Sequence, residues 1–199
     1  TGGVTTTTAP SVTISGTGYY AQGTALVLNN GQTTIPTGYI YSYTVNGESV
    51  TTTDNTVAMP ATDATIGLGS LVAIPWTGSG TSDDPYIIIY PSQLDLLATN
   101  VNNDDGHFYY NTYFKLGDDI AYDYDTAWDD ATSYASNFTP IGTNNTNFRG
   151  HFDGNGKTIS GIRVYAPTTN DIAIFRTIDS QAEVKGITLD DTRLTGQNV

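Results

Sequence analysis

The sequence predicts a mostly-β protein built from two β-rich parts, and three observations support this fold class. Thr, Asn, Gly and Tyr are abundant among the 199 residues, whereas Glu occurs only at two positions. Short runs of alternating apolar and polar residues fill the first part, and a repeated motif occurs in the second. Because β-branched and aromatic side chains suit a pleated sheet, and Gly and Asn suit turns, this composition favours strands over helices.

The charge and the cysteine content exclude several classes of function. The net charge is -13 and only seven residues are Lys or Arg, so the chain lacks the basic stripe of a nucleic-acid-binding protein. The absence of Cys excludes disulfides, thiolate metal sites and a Cys nucleophile. No apolar run approaches about 18 residues, so the sequence predicts no membrane-spanning helix.

The N-terminal part of the chain divides into a leader and a small β module. Residues 1–10 are rich in Thr and show no apolar period, which predicts a flexible leader. In residues 11–73 the alternating runs predict a small β-sandwich or β-meander, and Asn46 followed by Gly47 predicts a hairpin turn. Residues 57–66 (VAMPATDATI) resemble the closing strands of Ig-like β modules in bacterial surface proteins. This resemblance implies an Ig-like fold for residues 11–73.

A short helix is predicted after residue 90. Ser92 is followed by Asp95 three residues later, which is the pattern of a helix N-cap. The apolar residues that follow have the spacing of a single helix face, so this face must pack against another element. These residues are Leu94, Leu97, Ala98 and Val101.

Four motifs in the second part carry a resemblance to a known family. They are W-x-G-x-G-T-x-x-D-P-Y-x-I in residues 76–88, Y-F-x-L-x-x-D-I in 113–120, F-x-P-I-G in 138–142 and F-x-G-x-F-D-G-N-G-x-T-I in 148–159. Together they resemble the right-handed β-helix domains of bacterial cell-surface, adhesin-like proteins that carry GLUG-type repeats. The resemblance implies that residues 74–199 form the start of a right-handed parallel β-helix, with the short helix as its cap.

An internal repeat independently predicts stacked coils. Residues 158–164 and 183–189 share the pattern x-[IV]-x-G-I-x-[VL], with Ile159 of the first copy aligned to Val184 of the second, and such a fixed period is typical of solenoids. Because a solenoid generally needs about three repeats and a terminal cap, we expect additional chain to complete it. We expect the repeated apolar residues to form one stack: Ile159, Ile162, Val164, Val184, Ile187 and Leu189.

The candidate catalytic groups do not form a recognisable catalytic motif. The acidic residues occur in Gly-, Asn- and Thr-rich segments typical of solvated turns, whereas a glycosidase needs two carboxyl groups around an apolar pocket. His107 and His151 lie on separate segments and lack the spacing of zinc ligands, and no G-x-S-x-G motif is present. We therefore predict no catalytic residues. The glycines of the D-G-N-G segment, residues 153–156, are predicted to supply positive φ angles in a turn.

An acidic segment offers a candidate metal site. Asp119, Asp123 and Asp125 provide carboxylate oxygens of the kind that Ca²⁺ prefers, although the spacing is not that of an EF-hand loop. A structural Ca²⁺ is therefore the one cofactor that we consider for this chain.

Aromatic residues are concentrated in the same region. Exposed aromatic rings provide large, stiff contact areas, and the acidic and aromatic stretch from residue 104 to residue 138 is longer than a plain turn. We predict a ligand-binding surface there, with the following residues: Tyr109, Tyr113, Tyr122, Tyr124 and Trp128.

The family resemblance implies a non-catalytic, adhesin-like protein that is secreted or faces outward on the cell surface. Its expected partner is a host or microbial glycan or surface protein. A removed N-terminal segment, with or without a lipid, is the expected means of anchoring. Two alternatives stay open: a polysaccharide lyase or hydrolase with a β-helix fold, and a purely structural stalk or fimbrial-type subunit. An enzyme would need acidic groups on adjacent coils, whereas a stalk would bind no ligand.

Overall fold

A computed structural model describes residues 13–14, 25–29, 37–50, 56–58, 65–103, 110–124 and 134–198. The protein is mostly β, as predicted, and the described residues contain a single helix. The chain divides into two compact units, residues 1–74 and residues 75–199. The predicted leader, residues 1–10, lies outside the described residues.

The described residues of the first unit form two antiparallel sheets of three strands each. The strand order is β1-β2-β5 in one sheet and β4-β3-β6 in the other. The strands are β1 (Thr13–Ile14), β2 (Ala25–Asn29), β3 (Tyr39–Val45), β4 (Glu48–Val50), β5 (Thr56–Ala58) and β6 (Ile66–Ala73).

The predicted hairpin joins β3 to β4. Asn46 and Gly47 have φ angles of 53° and 88°, the positive values that a two-residue type I′ turn requires. Val45 pairs with Glu48 across this turn. The side chain of Asn46 also accepts a hydrogen bond from the backbone N–H of Thr65, at 2.8 Å, which ties the turn to the start of β6.

The helix, α1 (Pro91–Asn103), buries the predicted apolar face. Its start differs from the prediction, because α1 begins at Pro91 and Ser92 therefore lies inside the first turn. Instead, the Oε1 atom of Gln93 accepts hydrogen bonds from the N–H groups of Ile89 and Tyr90, at 2.8 and 3.2 Å. This is the role of a third-position Gln in a capping box. Among the described residues, no helix is long and apolar enough to cross a membrane, and α1 itself has only 13 residues.

The nine strands described in the second unit form three parallel sheets. The strand orders are β7-β8-β10-β13, β9-β11-β14 and β12-β15. Three consecutive strands, β10 to β12, therefore pair in order with the next three, β13 to β15. The strands are β7 (Tyr86–Ile88), β8 (Tyr113–Leu116), β9 (Ile120–Ala121), β10 (His151–Asp153), β11 (Thr158–Ser160), β12 (Arg163–Asn170), β13 (Glu183–Lys185), β14 (Thr188–Asp190) and β15 (Arg193–Asn198).

The observed register corrects the alignment that the repeat predicted. Ile159 pairs with Leu189 and not with Val184. Val184 instead pairs with Phe152 of β10, the neighbouring strand in its sheet. The two copies of the repeat therefore do not lie on top of each other in the stack.

The repeated pattern marks a corner between consecutive strands. Its first copy covers the step from β11 to β12 and its second copy the step from β13 to β14. Gly161 and Gly186, the glycines of the pattern, have φ angles of 73° and 67°. Such φ angles favour glycine. The same residue pattern therefore recurs because the same type of short corner occurs at two different places in the coil.

The apolar side chains of the three sheets share one core. Ile159, Ile162 and Val164 are buried in it, and Val184 and Ile187 pack against it. Leu189 differs from the prediction, because it is 47% exposed on the outer strand of its sheet. The other residues predicted to stack all contribute to the core.

The D-G-N-G turn between β10 and β11 is held by its side chains. Asn155 and Gly156 have positive φ angles of 53° and 68°, and the Asp153 carboxylate accepts a hydrogen bond from the Asn155 N–H at 2.7 Å. Gly154 is needed for a different reason from the predicted one. A Cβ atom at this position would lie 2.4 Å from the backbone oxygen of Gly186 in the neighbouring turn.

Candidate functional site

The outward side of β8, β10 and β13 carries two columns of polar and aromatic side chains. Because alternate residues of a strand face opposite sides, the buried Phe114 and Phe152 point inward and their neighbours point outward. The parallel register then aligns the outward residues. The aromatic column contains Tyr113 and His151 and continues to Glu183, and the charged column contains Lys115, Asp153 and Lys185.

Contacts within and between the two columns involve several of these side chains. The rings of Tyr113 and His151 are stacked, with centroids 4.3 Å apart and planes inclined by 17°. The Lys185 ammonium lies 2.8 Å from a Glu183 carboxylate oxygen. This hydrogen bond and the negative charge of Glu183 raise the pKa of Lys185, and Asp153 acts in the same direction.

A cavity of about 330 Å³ lies along the two columns. The columns and the inward phenylalanines line it together with a loop that precedes β7 and contributes Ser82, Asp83 and Pro85. We call this cavity the groove. A volume of this size falls at the lower end of the range of small-molecule sites.

The glycines of the W-x-G-x-G-T motif shape the loop at the groove. The N–H groups of Ser79 and Thr81 both donate to the backbone oxygen of Asp84, at 3.1 and 3.2 Å. A Cβ atom on Gly78 would lie 2.1 Å from the backbone oxygen of Pro85, so only glycine allows this close approach. The motif used to predict the fold therefore also positions one wall of the groove.

An aromatic cluster supports the groove from the core side. Trp76, Tyr86 and Phe114 have ring centroids 5.3 to 5.6 Å apart. The indole N–H of Trp76 donates to the backbone oxygen of Gln93 at 3.1 Å, which links the cluster to α1. Phe114 of this cluster belongs to β8, whose outward residues contribute to both columns.

The charges in the groove nearly balance. Two of the three lysines of the chain, Lys115 and Lys185, line the groove together with three carboxylates. With His151 neutral, the formal charge of the groove is therefore close to zero and slightly negative. These groups offer both donors and acceptors to a bound molecule.

The structure places the predicted ligand-binding residues in different environments. Tyr113 lines the groove. Tyr122 is a correction, because it is buried and packs edge-to-face against Phe138. Its hydroxyl is hydrogen-bonded to Asp95 Oδ1 at 2.8 Å, so Tyr122 belongs to the core and not to a contact surface. Tyr109 and Trp128 lie outside the described residues.

Tyr124 is half-buried and contacts an arginine. The Arg163 guanidinium lies over the Tyr124 ring, with Cζ 3.6 Å from the centroid, and Arg163 is fully buried. The same guanidinium donates to the backbone oxygen of Ile162 at 3.1 Å, and to both the backbone oxygen and the carboxylate of Asp191. A hydrogen bond from Tyr124 lowers the pKa of Asp191, and the hydrogen bond from Arg163 contributes as well. Tyr124 therefore helps to join three successive segments of the chain.

The predicted calcium ligands are only partly described. Asp119 accepts a hydrogen bond from the Thr158 N–H at 2.8 Å, and Asp123 is exposed. Asp125 lies outside the described residues, so the three-carboxylate site stays a prediction. Within the described ranges, no three His, Asp or Glu side chains are grouped to hold a metal ion.

The groove contains residues that the sequence analysis did not select. Lys115, Asp153, Glu183 and Lys185 are ordinary charged strand residues when each is viewed alone. Their alignment depends on the register of β8 with β10 and of β10 with β13, which no constant period in the sequence reveals. The alternation of polar and apolar residues around the inward phenylalanines is the signal that indicates their outward orientation.

Comparisons with known proteins give partial similarities. No family model and no solved structure matches the chain. The chain is 32% identical over 122 residues to a protein of Evansella cellulosilytica named "Putative Gly-rich membrane protein", covering 59% of the chain and 12% of that protein. It is 27% identical over 135 residues to "Halomucin" of Haloquadratum walsbyi, covering 65% of the chain and 1% of that protein. The chain thus spans a small fraction of the length of both relatives.

Proposed function

We propose that this chain is a non-catalytic module of a surface-associated, adhesin-like protein and that its groove binds a glycan. The observation that carries the proposal is the pair of outward columns beside a cavity of about 330 Å³. The names of the relatives, a membrane protein and a halomucin, support the surface association.

The chemistry of the groove suits a sugar better than a purely apolar ligand. Aromatic rings provide stiff contact surface, and the Lys and Asp side chains offer hydrogen-bond donors and acceptors to hydroxyl groups. Because the two lysines are offset by three carboxylates and the whole chain carries a charge of -13, a neutral oligosaccharide fits better than a polyanion.

We also propose that the second unit forms coils of a parallel β-helix. Three consecutive strands pair in order with the next three, and the inward residues of these strands contribute to one core. In such a solenoid each coil buries its apolar face against its neighbours. The outward faces then form long, regular surfaces on which a ligand can contact several coils.

A glycan array tests the proposed function. The purified chain is applied beside Tyr113→Ala and Lys115→Met, which remove one residue from each column. Tyr110→Ala is the matched control, because Tyr110 is 52% exposed and does not line the groove. We expect binding to neutral oligosaccharides that both groove variants weaken and the control retains. Equal binding by all four proteins, or none by the native chain, would contradict the proposal.

The array, followed by a reducing-end assay on the glycans that bind, also separates the two alternative functions. A polysaccharide-cleaving enzyme would release reducing ends from the glycans that it binds. A structural stalk would bind none of them. We expect stable binding with no release of reducing ends.

A further inference from the structure

The chain contains two N-x-T patterns, and both lie in the second unit. They are Asn137-Phe138-Thr139 and Asn144-Asn145-Thr146. An Asn followed two residues later by Ser or Thr, with no Pro between them, is the acceptor pattern for N-linked glycans. Because the pattern is short, the surroundings of each asparagine decide whether it can carry a glycan.

Asn144 lies in an exposed loop whose two ends are fixed in the core. Ile141 and Phe148 are fully buried, and each forms a parallel bridge with the neighbouring segment, residues 175–178. Between these two points the chain leaves the core, and Asn144 and Asn145 are exposed. A glycan attached here would extend into solvent, as such a bulky group requires.

The side chain of Asn144 has its oxygen engaged and its nitrogen open. Its Oδ1 accepts a hydrogen bond from Nη2 of Arg176 at 2.9 Å. Its Nδ2, the atom to which an N-linked glycan is attached, has no hydrogen-bond partner among the described residues. The hydroxyl of Thr146, the third residue of the pattern, lies 2.8 Å from Thr143 Oγ1. The groups that a glycosyl-transferring enzyme reads are therefore contained in one exposed loop.

Asn137 differs because its side chain holds parts of the chain together. Its Nδ2 donates to the backbone oxygens of Asp123 and Gly161, at 3.0 and 2.9 Å, which uses both of its hydrogens. Its Oδ1 accepts a hydrogen bond from the Arg163 N–H at 2.8 Å, and the residue is half-buried. A glycan on Nδ2 would replace one of the two hydrogens. At least one hydrogen bond to the backbone would therefore be lost.

We propose that Asn144 is the attachment site of an N-linked glycan and that Asn137 is not modified in the folded protein. The donor is a lipid-diphosphate-linked oligosaccharide, and the enzyme is an oligosaccharyltransferase. Nδ2 of Asn144 forms a bond to the anomeric carbon of the sugar and loses one proton to a base of the enzyme. The bond between that carbon and the diphosphate oxygen breaks, and the lipid diphosphate leaves with the electron pair.

This inference goes beyond the glycan-binding groove, because Asn144 does not line the groove. It concerns a glycan that the chain carries covalently, whereas the groove is proposed to bind a glycan of a partner. N-linked glycans occupy surface loops of secreted proteins, which agrees with the proposed surface association.

The experiment uses the purified, folded chain. It is incubated with an oligosaccharyltransferase that requires only the N-x-[ST] pattern and with a lipid-diphosphate-linked oligosaccharide. Mass spectrometry of the intact protein counts the attached glycans, and mass spectrometry of proteolytic peptides locates them. Circular dichroism confirms that each variant is folded.

Four variants are compared with the native chain. Asn144→Gln removes the acceptor, and Thr146→Val removes the hydroxyl of the pattern while keeping its shape. Thr146→Ser keeps the pattern. Thr139→Val is the matched control, because it removes the other pattern at an exposed position and leaves the hydrogen bonds of Asn137 in place.

We expect the native chain, Thr146→Ser and Thr139→Val to gain a glycan at Asn144, and Asn144→Gln and Thr146→Val to gain none. In the native chain the occupancy of Asn144 should exceed that of Asn137 roughly ten-fold or more, because modification of Asn137 gives up buried hydrogen bonds. The inference is wrong if Asn144 stays unmodified, or if Asn137 is modified to the same extent. Failure of the groove proposal is distinct, since it would appear on the glycan array with the unmodified chain.

Discussion

The guanidinium of Arg163 contacts both the ring of Tyr124 and the carboxylate of Asp191. Its Cζ is 3.6 Å from the ring centroid, and its Nη2 is 3.0 Å from the carboxylate oxygen. Because the three residues belong to successive segments of the second unit, this contact joins three levels of the stack. Arg163 is fully buried, whereas Asp191 is 45% exposed and keeps part of its hydration.

Replacing this arginine tests how much the contact stabilises the fold. Arg163→Ala removes a buried cation and leaves a cavity, so we expect the free energy of unfolding to fall by about 2–4 kcal/mol. Arg163→Lys keeps the charge but loses the planar guanidinium group, so its free energy of unfolding should lie between those of Arg163→Ala and the native chain. Urea unfolding followed by circular dichroism measures both. Arg193→Ala, at the exposed in-register position, is the control and should cost less than about 1 kcal/mol. An equal loss for Ala at the two positions would contradict this role.

Asp95 of α1 makes the stability depend on pH. Burial raises the pKa of its carboxyl to about 6, and the hydrogen bond from Tyr122 limits the rise. Since the folded state binds this proton more tightly than the unfolded state, the charged carboxylate destabilises the fold above pH 6. That penalty disappears as the pH falls from about 6 to about 4.

Asp95→Asn removes this titration while keeping an acceptor for Tyr122. We expect the variant to be more stable than the native chain by about 1–2 kcal/mol at pH 8, a figure reduced because the carboxyl is partly exposed. At pH 4 the two proteins should be equally stable. Urea unfolding at a series of pH values measures the difference, and a constant difference across the series would rule out this explanation.

Paired cysteines test the register, and the absence of native Cys makes the test simple. Ser160 pairs with Asp190 in adjacent parallel strands, and the spacing of about 4.8 Å between such strands allows a disulfide. We expect Ser160→Cys/Asp190→Cys to cross-link under mild oxidation. Ser160→Cys/Lys185→Cys, which follows the alignment of the sequence repeat, should stay reduced. Mass spectrometry of proteolytic fragments identifies the linked peptides, and the reverse pattern would show that the observed register is wrong.

Two glycines of the D-G-N-G turn are expected to respond differently to substitution. In Gly154→Ala the new methyl group overlaps the backbone of Gly186, so we expect a loss of about 2–3 kcal/mol. In Gly156→Ala the new methyl group meets no atom within 4 Å, and only the φ of 68° is unfavourable for Ala. We expect the free energy of unfolding to fall by about 1–2 kcal/mol. Thermal unfolding of both variants shows which substitution destabilises the fold more. A smaller effect at Gly154 would mean that neighbouring turns are not in close contact.

Local features of the fold were predictable because they depend on neighbouring residues. The Asn46-Gly47 turn and the apolar face of α1 follow from backbone preferences and helical spacing, and both are present. The start of α1 was not predicted correctly, because the pattern of Ser92 and Asp95 places the cap at Ser92, whereas the helix begins at Pro91 and Gln93 accepts the N–H groups of Ile89 and Tyr90.

The site was less predictable because its geometry depends on distant residues. Tyr113 was selected for its aromatic ring, but His151 reaches it only through the register between β8 and β10. Tyr122 and Tyr124 have the same local pattern of aromatic and acidic neighbours, yet one is buried against Phe138 and the other contacts Arg163. Which ring is covered depends on the neighbouring coil, and local alternation does not contain that information.

The most direct test of the glycan-binding groove is the NMR spectrum of the His151 imidazole. Its signals are assigned by their loss in His151→Gln, and a glycan that binds in the array is then titrated into the native chain. We expect the His151 signals to shift in proportion to saturation, and the same shifts to vanish or weaken in Lys115→Met. Saturating binding that leaves the His151 signals unchanged would contradict the account.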